Sequence, residues 1–282
     1  TGFGLQLYPK ASGSWVISDE PFFPQGGLFS NFRLRAAVGQ SGLRPGVTDA
    51  LFYFLPRVVT QSNSDVQSIS IAEVGNPDLE PERVTEYEAG FEAGILDHRV
   101  GLEMTYFTRT SKDALVNVPL ALSVGGALNR FENLGEVKNS GVEAPIRATA
   151  LQAENYSLDL TFSGSSIRNE LVELGTDVSG EPLPDIIFGG SRQRHTEGYP
   201  LGGWWQRPYT FSDENGDGNL SFDEVEVANA HSADFMASPF PDKEFSLSGD
   251  LRLWGVQFST LLDYKGGYRL LNMTRAWRIT FE

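Results

Sequence analysis

Apolar and polar residues alternate along several long segments of the chain, and these segments occur in pairs. The clearest pair runs from Val84 to Arg109, where every second residue is apolar from Tyr87 to Ala93 and again from Val100 to Tyr106, on either side of a short Asp97-His98 turn. Because successive side chains of a strand point to opposite faces, a period of two predicts two strands that pair as a hairpin. The apolar positions are Tyr87, Ala89, Phe91 and Ala93, followed by Val100, Leu102, Met104 and Tyr106. The polar positions include Glu86, Glu88, Glu92 and Glu103.

The same alternation recurs from Val142 to Phe162 and from Phe245 to Tyr264, and a single strand is predicted at Phe32 to Val38. Between these segments lie irregular stretches that are longer than ordinary connections. Short turns at one end of a set of strands and long loops at the other are typical of outer-membrane barrels. The long stretches lie near residues 40–80, 110–140 and 165–240.

Alternation alone does not decide which face meets water. In a soluble β-sandwich the apolar face points inward, whereas in a transmembrane barrel it points outward to lipid. No window approaches the roughly 18 uncharged apolar residues of a membrane-spanning helix, but a barrel strand needs only about 9–11 residues. Small residues at many apolar positions would fill a sandwich core poorly, which favours the barrel. These small residues are Ala89, Ala93, Ala144, Ala148 and Gly249.

The predicted fold is therefore all-β: part of an antiparallel transmembrane β-barrel, with short turns on one side and long loops on the other. Acidic residues outnumber basic ones, 37 against 22, giving a formal net charge of -15, so nucleic acid is not an expected partner. The absence of cysteine excludes disulfides and cysteine-ligated metals. Both ends have the alternation of strand interiors and no signal peptide is visible, so we expect the sequence to be a fragment.

One acidic segment, residues 213–224 of the 165–240 loop region, matches the calcium-loop pattern D-x-[DN]-x-[DN]-G-x₅-E at every defined position. Gly218 would permit the sharp turn, and oxygen-only ligands suit calcium better than a transition metal. We expect one structural Ca²⁺ that braces the loop; the alternative is an ordinary acidic surface turn. The expected ligands are the side chains of Asp213, Asn215 and Asp217, the backbone carbonyl of Asn219, Ser221 directly or through water, and Glu224 bidentately.

Four aromatic residues near this segment could form a platform for a sugar or peptide, or could simply pack within the loops. They are Tyr199, Trp204, Trp205 and Tyr209. The chain contains no glycine-rich phosphate loop, G-x-S-x-G elbow or H-E-x-x-H motif, and glutamates two residues apart are common on exposed strands. The sequence therefore does not predict an enzyme.

Several phrases resemble the C-terminal barrel of SusC/RagA-type TonB-dependent receptors, and they follow one another in the order of that family. The most specific is Asn76-Pro77-Asp78-Leu79-Glu80-Pro81-Glu82, which resembles N-P-D-L-K-P-E and departs from it only at Glu80. The resemblance covers nearly the whole chain. Other matching phrases are Phe32 to Gly42, Asn139 to Glu143 (N-x-G-V-E), Glu197 to Gly202 (E-G-x-P-x-G) and Asp263 to Tyr268.

This resemblance implies a barrel of about 22 strands with a plugged lumen, of which the chain would supply about half. It implies uptake of a large nutrient, a glycan or a peptide, across the outer membrane of a Gram-negative bacterium. The implied partners are outer-membrane lipid, a SusD-like surface lipoprotein acting as a lid, and TonB through a plug domain absent from this sequence. The alternative from another class is a secreted, calcium-stabilised β-sandwich that binds carbohydrate.

Overall fold

The computed structural model describes residues 5–24, 26–61, 64–120, 129–176, 181–188, 192–229 and 233–274. Strands dominate these ranges, with short 3-10 turns at Ile17–Asp19 and Phe222–Glu224. The strands, in chain order, are β1 (Lys10–Val16), β2 (Phe29–Leu43), β3 (Tyr53–Gln61), β4 (Ser64–Glu73), β5 (Glu82–Ile95), β6 (Val100–Pro119), β7 (Asn129–Ala153), β8 (Tyr156–Glu173), β9 (Ile186–Phe188), β10 (Gln193–His195), β11 (Gly203–Gln206), β12 (Tyr209–Phe211), β13 (Val225–Val227), β14 (Asp234–Ala237), β15 (Lys243–Leu253) and β16 (Val256–Gly266).

The largest sheet in the described part of the chain has eight antiparallel strands in the order β1-β2-β5-β6-β7-β8-β15-β16. Its neighbours are mostly consecutive in sequence, so the chain runs up and down along the sheet. The predicted hairpins are confirmed, because Phe91 pairs with Met104 and Leu247 with Leu262, apolar residue opposite apolar residue. The sheet is open, with β1 and β16 at its edges.

The two ends of this sheet differ in the way that the sequence predicted. At one end β5, β7 and β15 pass into the next strand through tight turns, and at the other end the connections are long. One of the two-residue turns is Trp254-Gly255, where φ is 44° and 88°. Two successive residues in the left-handed region give a twist that matches that of the paired strands.

The long stretch predicted near 110–140 was wrong, because β6 continues to Pro119 and β7 already begins at Asn129. Strand β8 likewise continues to Glu173, so the region predicted as loop from residue 165 begins in strand. In these extensions polar residues occur on both faces, as Thr110, Ser111 and Lys112 illustrate. Where a strand extends beyond the apolar layer, its residues no longer alternate between apolar and polar. Such a segment is therefore not recognised as a strand from its sequence.

The opposite faces of the main sheet have different chemistry. One carries the apolar residues of the alternation, and many stay open to their surroundings, such as Tyr87 and Leu262, with 56% and 63% exposure. Among the described residues, only six hydrophobic side chains are buried, and no second sheet covers this face. The sandwich alternative is therefore not favoured, because it would require two sheets packed face to face over a common core.

The other face carries an ion-pair network across β2, β5 and β6. Arg35 lies opposite Gly90 and extends over it, so that its guanidinium contacts Glu103 at 2.5 Å and also donates to Thr105. Glycine at position 90 matters because a Cβ there would collide with the Met104 carbonyl oxygen. Arg33 and Arg35 both contact Glu92. This face therefore carries paired charges that suit a hydrated environment.

The segment from Asn76 to Glu82 follows the β3–β4 hairpin and is hydrogen-bonded to the extended first part of β7. The Asn76 side chain is buried and donates to the Phe131 carbonyl at 3.2 Å and to the Glu132 carboxylate at 2.7 Å. The backbone of Glu80 exchanges two hydrogen bonds with the Asn133 side chain, both 2.8 Å long. The Glu80 side chain makes neither contact, so these two hydrogen bonds do not depend on whether glutamate or lysine occupies the position.

Candidate functional site

The segment between β8 and β15 forms a superstructure above the long-loop end of the main sheet. Within its described residues, β14, β11, β10 and β9 form a four-stranded sheet in that order, and β12 pairs with β13 as a separate hairpin. We call the whole segment, residues 174–242, the loop superstructure. Strands of three or four residues cannot bury enough surface to stand alone, so their attachment to the main sheet positions them.

A small apolar core makes this attachment. Leu171 and Leu174, at the end of β8, are 0% and 1% exposed and pack with Val137 of β7. The E-G-x-P-x-G phrase docks beside them: the Leu171 N–H donates to the Tyr199 carbonyl at 2.9 Å, and the Gly198 N–H donates to the Leu171 carbonyl at 2.8 Å. Partly buried residues that complete the core are Leu183, Ile186 and Leu201.

A cleft of about 890 Å³ opens between the four-stranded sheet, the β12–β13 hairpin and the segment after β16. Three of the four aromatic residues predicted as a group, Trp204, Trp205 and Tyr209, line it. The Trp204 indole N–H donates to the Arg269 carbonyl at 2.9 Å, which joins the superstructure to the end of the main sheet. The further described lining residues are Ile187, Arg192, Arg194, Gln206, Arg207, Val227, Ala233, Met236, Arg269, Leu270 and Leu271.

Tyr199 does not line the cleft but packs behind it. Its ring centroid lies 4.9 Å from that of Trp205 and 5.0 Å from that of Phe235. Phe235 was missed by sequence analysis, because a lone aromatic residue in a four-residue strand gives no periodic signal. The structure thus divides the predicted group into a packing residue, Tyr199, and three residues on the cleft wall.

His195 of β10 lies behind the cleft and accepts a hydrogen bond through Nδ1 from the Gly202 N–H at 3.1 Å. Burial lowers the pKa of its imidazole, which keeps the ring neutral at physiological pH. A neutral ring can accept the Gly202 hydrogen bond, whereas a doubly protonated ring could not. His195 therefore acts as an uncharged structural group next to the cleft.

The segment 213–224 forms an exposed loop between β12 and β13, and the residues before it form strand rather than helix. Gly216 and Gly218 have φ of 70° and 79°. The Asp213 carboxylate accepts hydrogen bonds from the Gly216 and Gly218 N–H groups at 2.8 and 2.9 Å. The loop is therefore folded back around its first acidic residue.

Glu224 closes this loop from its other end. Its carboxylate accepts hydrogen bonds from the Ser221 N–H at 2.8 Å and the Ser221 hydroxyl at 2.9 Å, and from the Glu214 N–H at 3.0 Å. These bonds, chiefly those from Ser221, lower the pKa of the Glu224 carboxyl and keep it charged. Across the described ranges, no three acidic, histidine or cysteine side chains are already grouped to hold a metal ion.

The fold and the site together define a class of protein: an outer-membrane β-barrel wall with tight turns on one side and a folded, ligand-sized cleft on the other. Residues 3–282 match the family model described as TonB dependent receptor-like, beta-barrel, and the chain belongs to this family. The family places the chain in the outer membrane of a Gram-negative bacterium, and it is a family of receptors rather than enzymes. The described ranges contain no helical segment with the length and hydropathy of a membrane span.

Two curated relatives illustrate the similarity. The TonB-dependent receptor P26 of Formosa agariphila is 25% identical, and the match covers 95% of this chain and 29% of that protein. The TonB-dependent receptor SusC of Bacteroides thetaiotaomicron is 24% identical over 87% of this chain and 27% of its own length. The chain thus spans less than a third of the length of these relatives.

The fold is also similar to that of a solved transporter. The structure of the RagAB peptide importer in the closed-closed state superposes with a TM-score of 0.77 at 20% identity, covering 93% of this chain and 29% of that one. The structure of the RagAB peptide transporter gives 0.76 over 92% of this chain and 29% of that chain. The fold and family predicted from the ordered phrases, a SusC/RagA-type receptor fragment, are confirmed.

Proposed function

We propose that this chain forms part of the barrel wall and the extracellular ligand-contacting surface of a receptor that imports a large nutrient, a glycan or a peptide, across the outer membrane. The observation that carries the proposal is the cleft of about 890 Å³ in a loop superstructure that is packed onto the strands of the wall. A site built this way presents fixed side chains to the medium while the wall below provides the passage. In this proposal the chain binds and passes its cargo without a catalytic step.

The proposed partners follow from the same arrangement. The apolar face of the main sheet would meet outer-membrane lipid, and the face that carries Arg35, Glu92 and Glu103 would meet the hydrated lumen. A SusD-like surface lipoprotein would close over the loop superstructure, and TonB would supply energy through a plug domain outside these residues. The similarity to SusC and to the RagA-containing importer supports this assignment.

The proposal is tested by uptake into whole cells. A strain lacking the receptor gene is supplied with a fluorescently labelled oligosaccharide mixture or peptide mixture, and accumulation is compared with that in the parent strain and in a TonB-deficient strain. We expect one mixture to be accumulated by the parent and by neither mutant. Equal accumulation in all three strains, or recovery of the receptor from the medium without detergent, would contradict the proposal.

We also propose that residues 213–224 hold one structural Ca²⁺. The supporting observations are the complete ligand pattern, two glycines with positive φ and the convergence of the two end carboxylates on the backbone of one short loop. The proposed ligands are those expected from the sequence. Binding would replace some hydrogen bonds from N–H groups to Asp213 and Glu224 with bonds to the ion.

Glu224→Gln in the intact receptor is expected to weaken calcium binding roughly tenfold, because it removes the charged bidentate ligand. Calorimetric titration with CaCl₂ measures the effect, and calcium should slow protease cleavage of the loop in the parent but not in the variant. Asp223→Asn is the matched control, since Asp223 occupies no ligand position. No calcium binding by the parent at millimolar concentration would end the proposal.

A further inference from the structure

The cleft in the loop superstructure is basic, although the chain as a whole has a net charge of -15. Among the residues described along its wall, four are arginines and none is aspartate or glutamate. Arg192 and Arg194 come from the β10 region, Arg207 follows β11 and Arg269 follows β16. A concentration of positive charge in one concave site of an acidic protein raises the local concentration of anions.

Most of these arginines have no acidic partner among the residues that the structure describes. Within the described ranges, the ion pairs within 4.0 Å include Arg194 with Asp185, at 3.9 Å, but not Arg192, Arg207 or Arg269. At 3.9 Å the Asp185 contact is too long for a hydrogen bond. The charges of the cleft are therefore available to a ligand rather than used to bind the loops together.

Two buried donors of the cleft are also left without an acceptor. Arg194 Nε and Trp205 Nε1 are inaccessible to solvent and make no hydrogen bond in the described part of the protein. The Arg194 guanidinium lies 5.4 Å from the centre of the Trp205 ring, and its side chain is only 13% exposed, so both groups are held in place. A buried donor without a partner carries a desolvation cost, which a ligand acceptor would relieve once a small side-chain movement opens the donor to the cleft.

The aromatic part of the wall indicates which kind of anion would fit. Trp204 is fixed by its bond to the Arg269 carbonyl, so its ring is available as a rigid surface beside an arginine. Flat indole faces suit the apolar faces of sugar rings. One guanidinium group can donate two parallel hydrogen bonds to two oxygens of a carboxylate or sulfate group.

We infer that this cleft is a recognition subsite for an acidic oligosaccharide, one that carries carboxylate or sulfate groups along its chain. The inference rests on the proposed function and narrows its cargo from glycan or peptide to an anionic glycan. Arg192, Arg207 and Arg269 bind the anionic substituents at the rim, while Arg194 and Trp205 meet the sugar deeper in the cleft. Trp204 stacks against a sugar ring.

The experiment measures binding to the intact receptor, purified from outer membranes in detergent, by calorimetric titration. The probes are hexagalacturonate, heparin hexasaccharide, neutral maltohexaose and a hexaglutamate peptide. We expect one of the two acidic saccharides to bind at least tenfold more tightly than maltohexaose and hexaglutamate. Which one binds distinguishes a carboxylate cargo from a sulfate cargo.

The variant R192Q/R269Q removes two exposed rim charges, so it should fold as the parent does. It is expected to weaken binding of the acidic saccharide about tenfold and to reduce the dependence of affinity on salt. R57Q is the matched control, because Arg57 is also an exposed arginine but lies on the β3–β4 hairpin. Trp204→Ala should weaken binding while leaving the salt dependence unchanged.

Three results would overturn the inference: preferential binding of hexaglutamate, equal affinity for maltohexaose and the acidic saccharides, or an equal loss of affinity in R57Q. None of them affects the whole-cell uptake test, which would still succeed for a receptor with another cargo. If instead the uptake test fails while the acidic saccharide binds in the cleft, the proposed transport function is contradicted and the proposed binding site is supported.

Discussion

Phe91→Arg is expected to reduce the stability of the membrane-inserted barrel by about 2–4 kcal/mol, the cost of an arginine on the lipid-facing side near the bilayer midplane. Phe91 pairs with Met104 on one side and with Leu34 on the other, and its ring stacks on Phe32 at 5.8 Å. It lies in the fifth residue pair from the tight turn at Asp97. That is about halfway along the roughly 9–11 residues with which a barrel strand crosses the membrane. An arginine there would have no ion partner on an apolar surface.

Glu88→Arg is the matched control, since Glu88 lies on the same strand but on the opposite face and is exposed. It changes the charge by two units rather than one, yet we expect it to affect assembly much less because that face is hydrated. Assembly is measured as the heat-modifiable fraction of receptor in outer membranes, and stability by urea titration in lipid vesicles. If Glu88→Arg proves as damaging as Phe91→Arg, the assigned orientation of the sheet is wrong.

Leu171→Ala is expected to cost about 2–5 kcal/mol, as for other fully buried leucines. The loss should act locally, because Leu171 belongs to the core that attaches the loop superstructure, while the strand below it remains paired with β7 and β15. Residues 174–242 should then exchange amide hydrogen faster and be cleaved sooner by trypsin. The barrel should still assemble in the membrane.

Val172→Ala provides the comparison, because Val172 is the next residue along β8 and is 43% exposed. A change of this kind on the surface normally stays within about 0.5 kcal/mol. Equal hydrogen exchange of the loop superstructure in Leu171→Ala and in the parent would show that the small core does not hold it in place.

The hairpins could be predicted from sequence because alternation is a local property, readable from neighbouring residues such as those around Phe91. The tight turns could also be predicted from sequence, since few residues separate the paired strands. Extensions such as that of β6 to Pro119 were missed, because strands in water need no apolar stripe. Their pairing is decided by the neighbouring strand, not by their own pattern.

At the site, the sequence identified the four aromatic residues. It showed neither that Tyr199 packs behind the cleft nor that arginines surround the other three. Tyr199 and Trp204 are close in sequence, yet only the pairing of β10, β11 and β14 places one behind the cleft and the other on its wall. The arginines of the cleft come from three separate segments, and one of them, Arg269, follows the last strand of the main sheet. No spacing within the sequence could bring them together.

The sequence by itself determined the apolar centres of the long hairpin strands, their pairing as hairpins and the asymmetry of their ends, because those depend on contacts between near neighbours. Only the tertiary structure decided between a barrel wall and a sandwich, because a period of two occurs whether the apolar face meets lipid or a protein core. The tertiary structure also decided where the positive charges of the cleft come together. The cleft forms only when distant segments, such as those of Arg192 and Arg269, lie side by side. Local patterns specify elements, and the packing of distant elements specifies sites.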